Sequence, residues 1–171
     1  GSDPVFATAD GTALFLAAAG DYVRATGDRR IVSSGPNFWF KTVFALRGLL
    51  EADRRNGNAT DTLGFLAAND RRGTWLDVPT DGGFRRLGAP AEAQGALWQA
   101  LQTAYAFSDI MGVSGRSTSL VYRDTARVLV GLVDSRYGRG PLVADRVQGV
   151  GQPTADVRPG GLLALARLPT L

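Results

Sequence analysis

The chain has 171 residues, 44% of them hydrophobic and 20% charged, with 19 basic against 16 acidic side chains. This composition excludes a disordered chain and predicts one folded domain over residues 3–171, with residues 1–2 interpreted as a cloning remnant. There is no histidine and no cysteine, which excludes serine–histidine triads, thiol nucleophiles, disulfides and zinc sites built from these residues. We therefore expect no metal, no cofactor, and carboxylates as the acid and base groups of any catalysis.

Two amphipathic helices are predicted in the first third of the chain. Residues 10–25 have apolar positions at helical spacing, with Asp10 or Thr12 capping the start and Gly27 at the end. Residues 36–53 begin with Pro36, a residue favoured in the first helical turn. Their apolar stripe consists of Trp39, Phe40, Val43, Phe44 and Leu50.

The segment of residues 61–88 breaks this periodicity, since it is rich in Gly, Pro, Asp and Arg. We predict a long loop with one small β-hairpin, in which residues 74–78 pair with residues 83–86. Loops of this length in a compact domain are usually functional or disordered. The aromatic side chains of Phe65, Trp75 and Phe84 argue against disorder, so the loop is predicted to carry function.

Pro90 is predicted to open a third helix that runs to about Met111, with Glu92 in its first turn. A partner helix is predicted over residues 117–134. The intervening residues 112–117, GVSGRS, lack the Gly-Lys-Ser/Thr of phosphate-binding loops and are interpreted as a turn. Residues 137–153 are predicted to be irregular or extended, and residues 161–168 to form a short last helix.

These elements predict a mostly α fold of helical hairpins with long loops. Long loops on one side and short loops on the other favour a ring of hairpins, although an ordinary bundle has the same periodicity. No nucleic-acid partner is expected, because most of the arginine pairs lie beside an aspartate. No membrane partner is expected either, because the longest apolar run, residues 13–19, is too short to span a bilayer.

Four segments, in order, resemble the glucosidase domain of glycogen debranching enzymes, the amylo-α-1,6-glucosidase family. Residues 10–15, DGTALF, resemble the family's DASLWF. The DY at residues 21–22 and the TGD at residues 26–28 match the Y and the TGD that follow in the family. Residues 61–66 and then TWLD at 74–77 resemble D-x-D-G-L-L and TWMDA. RLGAPAEAQGALWQAL at 86–101 is similar to R-x-G-x-x-VEINALWYNAL, and residues 142–169 are similar to LYDVV…IRPNQLLALSLP.

The resemblance implies a portion of an (α/α)6 barrel and inverting hydrolysis of α-1,6-linked glucose. In such a reaction one carboxylic acid protonates the leaving oxygen, and a second carboxylate, about 6.5–9.5 Å away, activates water. Asp77 matches the family's acid. Asp10, Trp75, Arg86 and Glu92 match its substrate-binding segments, and a cytoplasmic location is expected.

The residues alone leave structural alternatives open for each of these positions. Asp10 is as readily a helix cap, and Trp75 a loop-packing aromatic. Glu92 is a common first-turn residue that could pair with Arg86.

The expected partners are a branched α-glucan or oligosaccharide and whatever covers the open helix face. A six-hairpin barrel needs roughly twice this chain, and the general base is missing from it. We therefore expect remaining segments of the same protein, or another copy, on that face. Two alternatives stay open: a six-hairpin glycosidase for another sugar, and a non-catalytic helical module that binds glucan or a protein.

Overall fold

A computed structural model describes residues 10–34, 36–51, 88–139, 142–144, 146–148 and 152–153, together with Ala166 and Leu168. The described chain is mostly α-helical, as predicted, while the complete barrel stays a prediction. Its helices and strands, in chain order, are α1 (Gly11–Thr26), α2 (Arg30–Ser33), α3 (Pro36–Glu51), β1 (Ala89–Pro90), α4 (Ala91–Met111), α5 (Val113–Tyr137), β2 (Gly138–Arg139), β3 (Leu142–Val143), β4 (Arg146–Gln148) and β5 (Gln152–Pro153).

Helix α1 confirms the first predicted helix and its end. Gly27 adopts a left-handed conformation, with φ of 69°, and its N–H donates to the carbonyl of Val23 at 2.8 Å. Asp10 occupies the predicted N-cap position, but the capping hydrogen bond expected from its side chain is not formed. Asp10 precedes the helix, but its backbone is in the right-handed helical region, and its side chain caps none of the described N–H groups of the first turn.

Helices α4 and α5 form a hairpin connected by Gly112 alone. The predicted turn over residues 112–117 is too long, because α5 begins at Val113 rather than residue 117 and ends at Tyr137 rather than residue 134. Gly112 has φ of 65° and ψ of −133°, a conformation that only glycine adopts without strain. One residue is therefore enough to reverse the chain.

Helix α4 is the interior helix of the described structure. Every residue from Ala91 to Leu97 is buried, and burial continues to Phe107 and Ser108. Helix α5 is buried on one face only, through Ser119, Tyr122, Ala126, Leu129, Val133 and Tyr137. The alanine- and glycine-rich start of α4 lets neighbouring segments approach it from all sides.

Helices α1 and α4 run parallel. Gln99 of α4 donates to Asp21 of α1 at 3.0 Å, and Thr103 packs against Gly20. Further along, Gly27 and Ile110 border the same cleft. Beyond the contact of Gly20 with Thr103, both helices line this cleft with residues nearer their C-terminal ends, so α1 and α4 are parallel and their N-terminal ends lie at the same end of the pair.

Helix α3 begins beside the C-terminal half of α4. The ring of Phe38 lies 6.0 Å from that of Phe107 and 6.4 Å from that of Phe15. The buried side chains of α3 are Trp39, Thr42, Leu46 and Leu49. Their spacing keeps one face of α3 against the core along the length of the helix.

Short strands lie at the N-terminal end of α4. Strand β4 pairs antiparallel with both β1 and β5, and β2 pairs antiparallel with β3. The irregular or extended conformation predicted for residues 137–153 is thus confirmed in these strands, whereas Tyr137 is helical and belongs to α5. The predicted hairpin of residues 74–86 lies outside the described residues. Of the predicted last helix, residues 161–168, the structure describes Ala166, which is helical, and Leu168, which is in a bend.

Tyr137 fixes the entry to α4, since its buried hydroxyl donates to the carbonyl of Ala89 at 2.8 Å. We expect Tyr137→Phe to lower the free energy of unfolding by about 0.5–1.5 kcal/mol, the net contribution of one hydrogen bond. Urea denaturation measures this change. The matched control is Tyr122→Phe, because the hydroxyl of Tyr122 bonds to no described residue. Equal losses in the two variants would contradict the role of this hydrogen bond.

Candidate functional site

Two buried carboxylates lie at the N-terminal ends of the parallel helices. Asp10, directly before α1, is 0% exposed, and Glu92, in the first turn of α4, is 3% exposed. Each interacts with another group of the protein. The structure therefore brings two of the sequence-predicted substrate-binding residues to the same end of the helix pair, beside the short strands.

The backbone before α4 determines where Glu92 lies. Pro90 is extended, with φ of −70° and ψ of 142°, and the helix starts at the next residue. A carboxylate in the first turn is favoured by the partial positive charge of the helix N-terminus. The small neighbours Ala91, Ala93 and Gly95 leave room for protein on every side, so the side chain of Glu92 is enclosed.

Gln94 is a further buried polar residue at this end that the sequence analysis missed. It is 0% exposed, and its amide donates to the carbonyl of Pro90 at 2.9 Å. A signal was present, because Gln94 follows Glu92 within a run of otherwise small apolar residues. Buried amides are normally hydrogen-bonded, so Gln94 stiffens the start of α4 beside Glu92.

The remaining sequence-predicted site residues, Asp77, Trp75 and Arg86, lie outside the described residues. Their roles stay predictions. Among the described residues, no group of three or more acidic side chains is arranged to hold a metal ion. None of the described helices is long and apolar enough to cross a bilayer.

A separate cleft of about 500 Å³ lies between the C-terminal halves of α1 and α4. It is bordered by Gly20, Val23, Arg24 and Gly27 on one side, by Thr103, Phe107 and Asp109 on the other, and by Arg29. The sequence analysis did not predict it. Because α1 and α4 are parallel, this cleft and the pair Asp10 and Glu92 are at opposite ends of the helices.

The turn between α1 and α2, residues 26–30, forms one rim of this cleft. The carboxylate of Asp28 accepts two hydrogen bonds from the guanidinium of Arg30, at 2.9 and 2.8 Å. It accepts a third from the backbone N–H of Arg30, at 3.0 Å. The hydroxyl of Thr26 donates to the carbonyl of Tyr22 and accepts from the N–H of Asp28. The side-chain hydrogen bonds from Arg30 are the main reason why the pKa of Asp28 lies well below its ordinary value of 3.8.

This pKa shift gives a pH prediction for the turn. Because the pKa of Asp28 is lower in the folded state than in the unfolded state, the ionised carboxylate stabilises the folded state. This stabilisation is fully present above the unfolded-state pKa of about 3.9 and is lost as the pH falls through the folded-state pKa. In carboxyl-detected NMR titrations we expect Asp28 to stay ionised below pH 3.8, the pKa of an unperturbed aspartate. Arg30→Gln should return the pKa of Asp28 towards 3.8. An unchanged pKa in that variant would contradict the role of Arg30.

Comparison with known proteins gives no relative: no family model matches the chain, and no curated protein matches it. The proposal below therefore depends on the sequence motifs and on the geometry of the described residues.

Proposed function

We propose that this chain is part of the catalytic domain of a glycoside hydrolase that removes α-1,6-linked glucose from branched α-glucan by inversion. Asp77 acts as the general acid, and Asp10, Trp75, Arg86 and Glu92 bind the sugar. The general base belongs to a part of the barrel that this chain does not supply. The protein acts in the cytoplasm and needs no cofactor.

The observation that carries the proposal is the position of Asp10 and Glu92 on two parallel helices. An (α/α)6 barrel is built from an inner ring of parallel helices, each connected to an antiparallel outer helix. The buried α4, its parallel neighbour α1 and the one-sided, antiparallel α5 fit this arrangement. The parallel course of α1 and α4 puts the two carboxylates at the same end of the helix pair.

The chemistry of this end suits a sugar. Ionised carboxylates accept hydrogen bonds from hydroxyl groups, and a buried carboxylate does so with less competition from water. Glu92 and Asp10 are both enclosed by protein. They are assigned to binding rather than proton transfer, since the match to the family's acid falls on Asp77.

Glucose release from branched limit dextrin by the full-length gene product tests this proposal. The wild type should release glucose, and Asp77→Asn should lose that activity while still binding the glucan. If the wild type releases no glucose from limit dextrin or from other oligosaccharides, the hydrolase proposal is overturned. Release from a different oligosaccharide alone would retain the hydrolase and change the sugar.

A non-catalytic helical module is the second candidate, and exposed aromatic residues favour it. Phe40 and Phe44 lie one helical turn apart on α3 and are 64% and 79% exposed. Such residues on an outward face can bind a partner protein or stack on sugar rings. Retention of the chain on immobilised glucan, lost in Phe40→Ser/Phe44→Ser, together with an absence of hydrolysis would favour this candidate.

A further inference from the structure

The cleft between the C-terminal halves of α1 and α4 has no part in the proposed hydrolysis. Its volume of about 500 Å³ is in the range of pockets that hold small organic molecules. Its solvent-accessible apolar lining includes Val23, Ala106 and Ile110. These side chains favour a ligand that carries a hydrocarbon group, since both apolar surfaces leave water on binding.

Charges of opposite sign come from the two sides of this cleft. Arg29 follows α1, and Asp109 lies in the last turn of α4. Neither side chain forms a hydrogen bond or an ion pair with any residue that the structure describes. Arg24, which also lines the cleft, already pairs with Asp21 at 2.7 Å. Within the described structure, Arg29 and Asp109 are therefore available to a ligand.

The turn that contains Arg29 is held in place from both sides. Before Arg29, the hydroxyl of Thr26 accepts a hydrogen bond from the N–H of Asp28, and the carboxylate of Asp28 accepts one from the N–H of Arg30. After it, the N–H groups of Val32 and Ser33 in α2 donate to the backbone carbonyl of Arg29. A guanidinium on a backbone fixed in this way loses less conformational freedom when it binds an anion.

The polarity of the helices adds to the negative charge of Asp109. Helices α1 and α4 both end at the cleft, and the last carbonyls of a helix carry a partial negative charge. A ligand ammonium beside Asp109 is favoured by the carboxylate and by this helix end together. Arg29, on the other side, favours a ligand carboxylate.

We propose that this cleft binds a small zwitterion with an apolar body, of which an apolar α-amino acid is the simplest. The carboxylate of the ligand pairs with Arg29, its ammonium with Asp109, and its side chain covers Val23, Ala106 and Ile110. This binding goes beyond the proposed hydrolysis and does not depend on it.

Titration of the chain with L-phenylalanine, followed by two-dimensional NMR, tests the proposal. We expect saturable shifts at the cleft, weakened by added salt. Arg29→Gln and Asp109→Asn should each raise the Kd about fivefold, the upper range for an exposed ion pair. 3-Phenylpropionate and 2-phenylethylamine, which each lack one of the two charges, should bind more weakly than phenylalanine by a similar factor.

The control variant is Arg127→Gln, which removes an exposed charge from α5, away from the cleft, and should leave the Kd unchanged. Arg29, Asp109 and Arg127 are all exposed, so circular dichroism should show the same helical signal in every variant. The proposal is overturned if phenylalanine gives no saturable shift, or if Arg29→Gln and Asp109→Asn bind it as tightly as the wild type. Tighter binding of a maltooligosaccharide at the same residues would also overturn it.

Discussion

Asp77→Asn in the full-length gene product is expected to lower kcat for glucose release from limit dextrin by about 100- to 10,000-fold, the contribution of one general acid. An amide is close in size to the carboxyl group but cannot give up a proton to the leaving oxygen. Glucan binding should therefore persist, and the loss should appear in kcat rather than in KM. Initial rates over a range of limit-dextrin concentrations measure both parameters.

The leaving group provides a sharper test of the same assignment. Fluoride leaves without protonation, so α-glucosyl fluoride should lose much less rate than limit dextrin in Asp77→Asn. A residue that only maintains the fold would reduce both rates alike. The matched control is Asp124→Asn, because Asp124 is an exposed carboxylate on α5 that pairs only with Arg123 among the described residues. Unchanged hydrolysis of limit dextrin in Asp77→Asn would remove Asp77 from the mechanism.

Gly20→Ala is expected to lower the free energy of unfolding by about 1–3 kcal/mol through overpacking, although alanine is the better helix former. A methyl group on Gly20 would overlap Oγ1 of Thr103 and would lie 3.0 Å from its Cβ. Thr103 is only 2% exposed, so its side chain cannot turn into solvent. Helix α1 must then move away from α4, and urea denaturation measures the loss.

Other helical glycines of the chain are matched controls for this effect. No atom of the described residues lies within 4 Å of a methyl group added to Gly48 in α3 or to Gly131 in α5. Gly48→Ala and Gly131→Ala should therefore raise the free energy of unfolding by about 0.5–1 kcal/mol. In the Gly20→Ala background, Thr103→Ala should recover much of the loss, since it removes the two closest atoms. A Gly20→Ala protein as stable as the wild type would contradict the close contact of α1 and α4.

Local sequence signals predicted the helices well where a single residue determines the end. Gly27 ends α1 because the left-handed conformation is open to glycine, and Pro36 begins α3 because it needs no N–H partner there. The four-residue α2 was not predicted, because hydrophobic periodicity needs more than one turn to be visible. Gly112 was recognised as a turn residue, but its backbone angles, which shorten the turn to one residue, are not visible in the sequence.

The candidate site could be predicted only in part, because it depends on contacts between distant residues. Glu92 and Asp10 were selected through the resemblance, yet their burial follows from the packing of α1, α4 and the strands. The cleft beside Arg29 and Asp109 was not predicted at all. The cleft exists because α1 and α4 are in close contact at Gly20 and separate further along. The apolar periodicity of a single helix does not predict the distance between two helices.

The single-residue connection at Gly112 bears on the order in which the chain acquires its structure. Closing so short a connection removes little chain entropy, and the resulting contacts are close in sequence, which speeds folding. The hairpin of α4 and α5 can thus form early in folding, before α1, which is distant in sequence, packs against α4. We expect it to act as the template on which the rest of the core assembles.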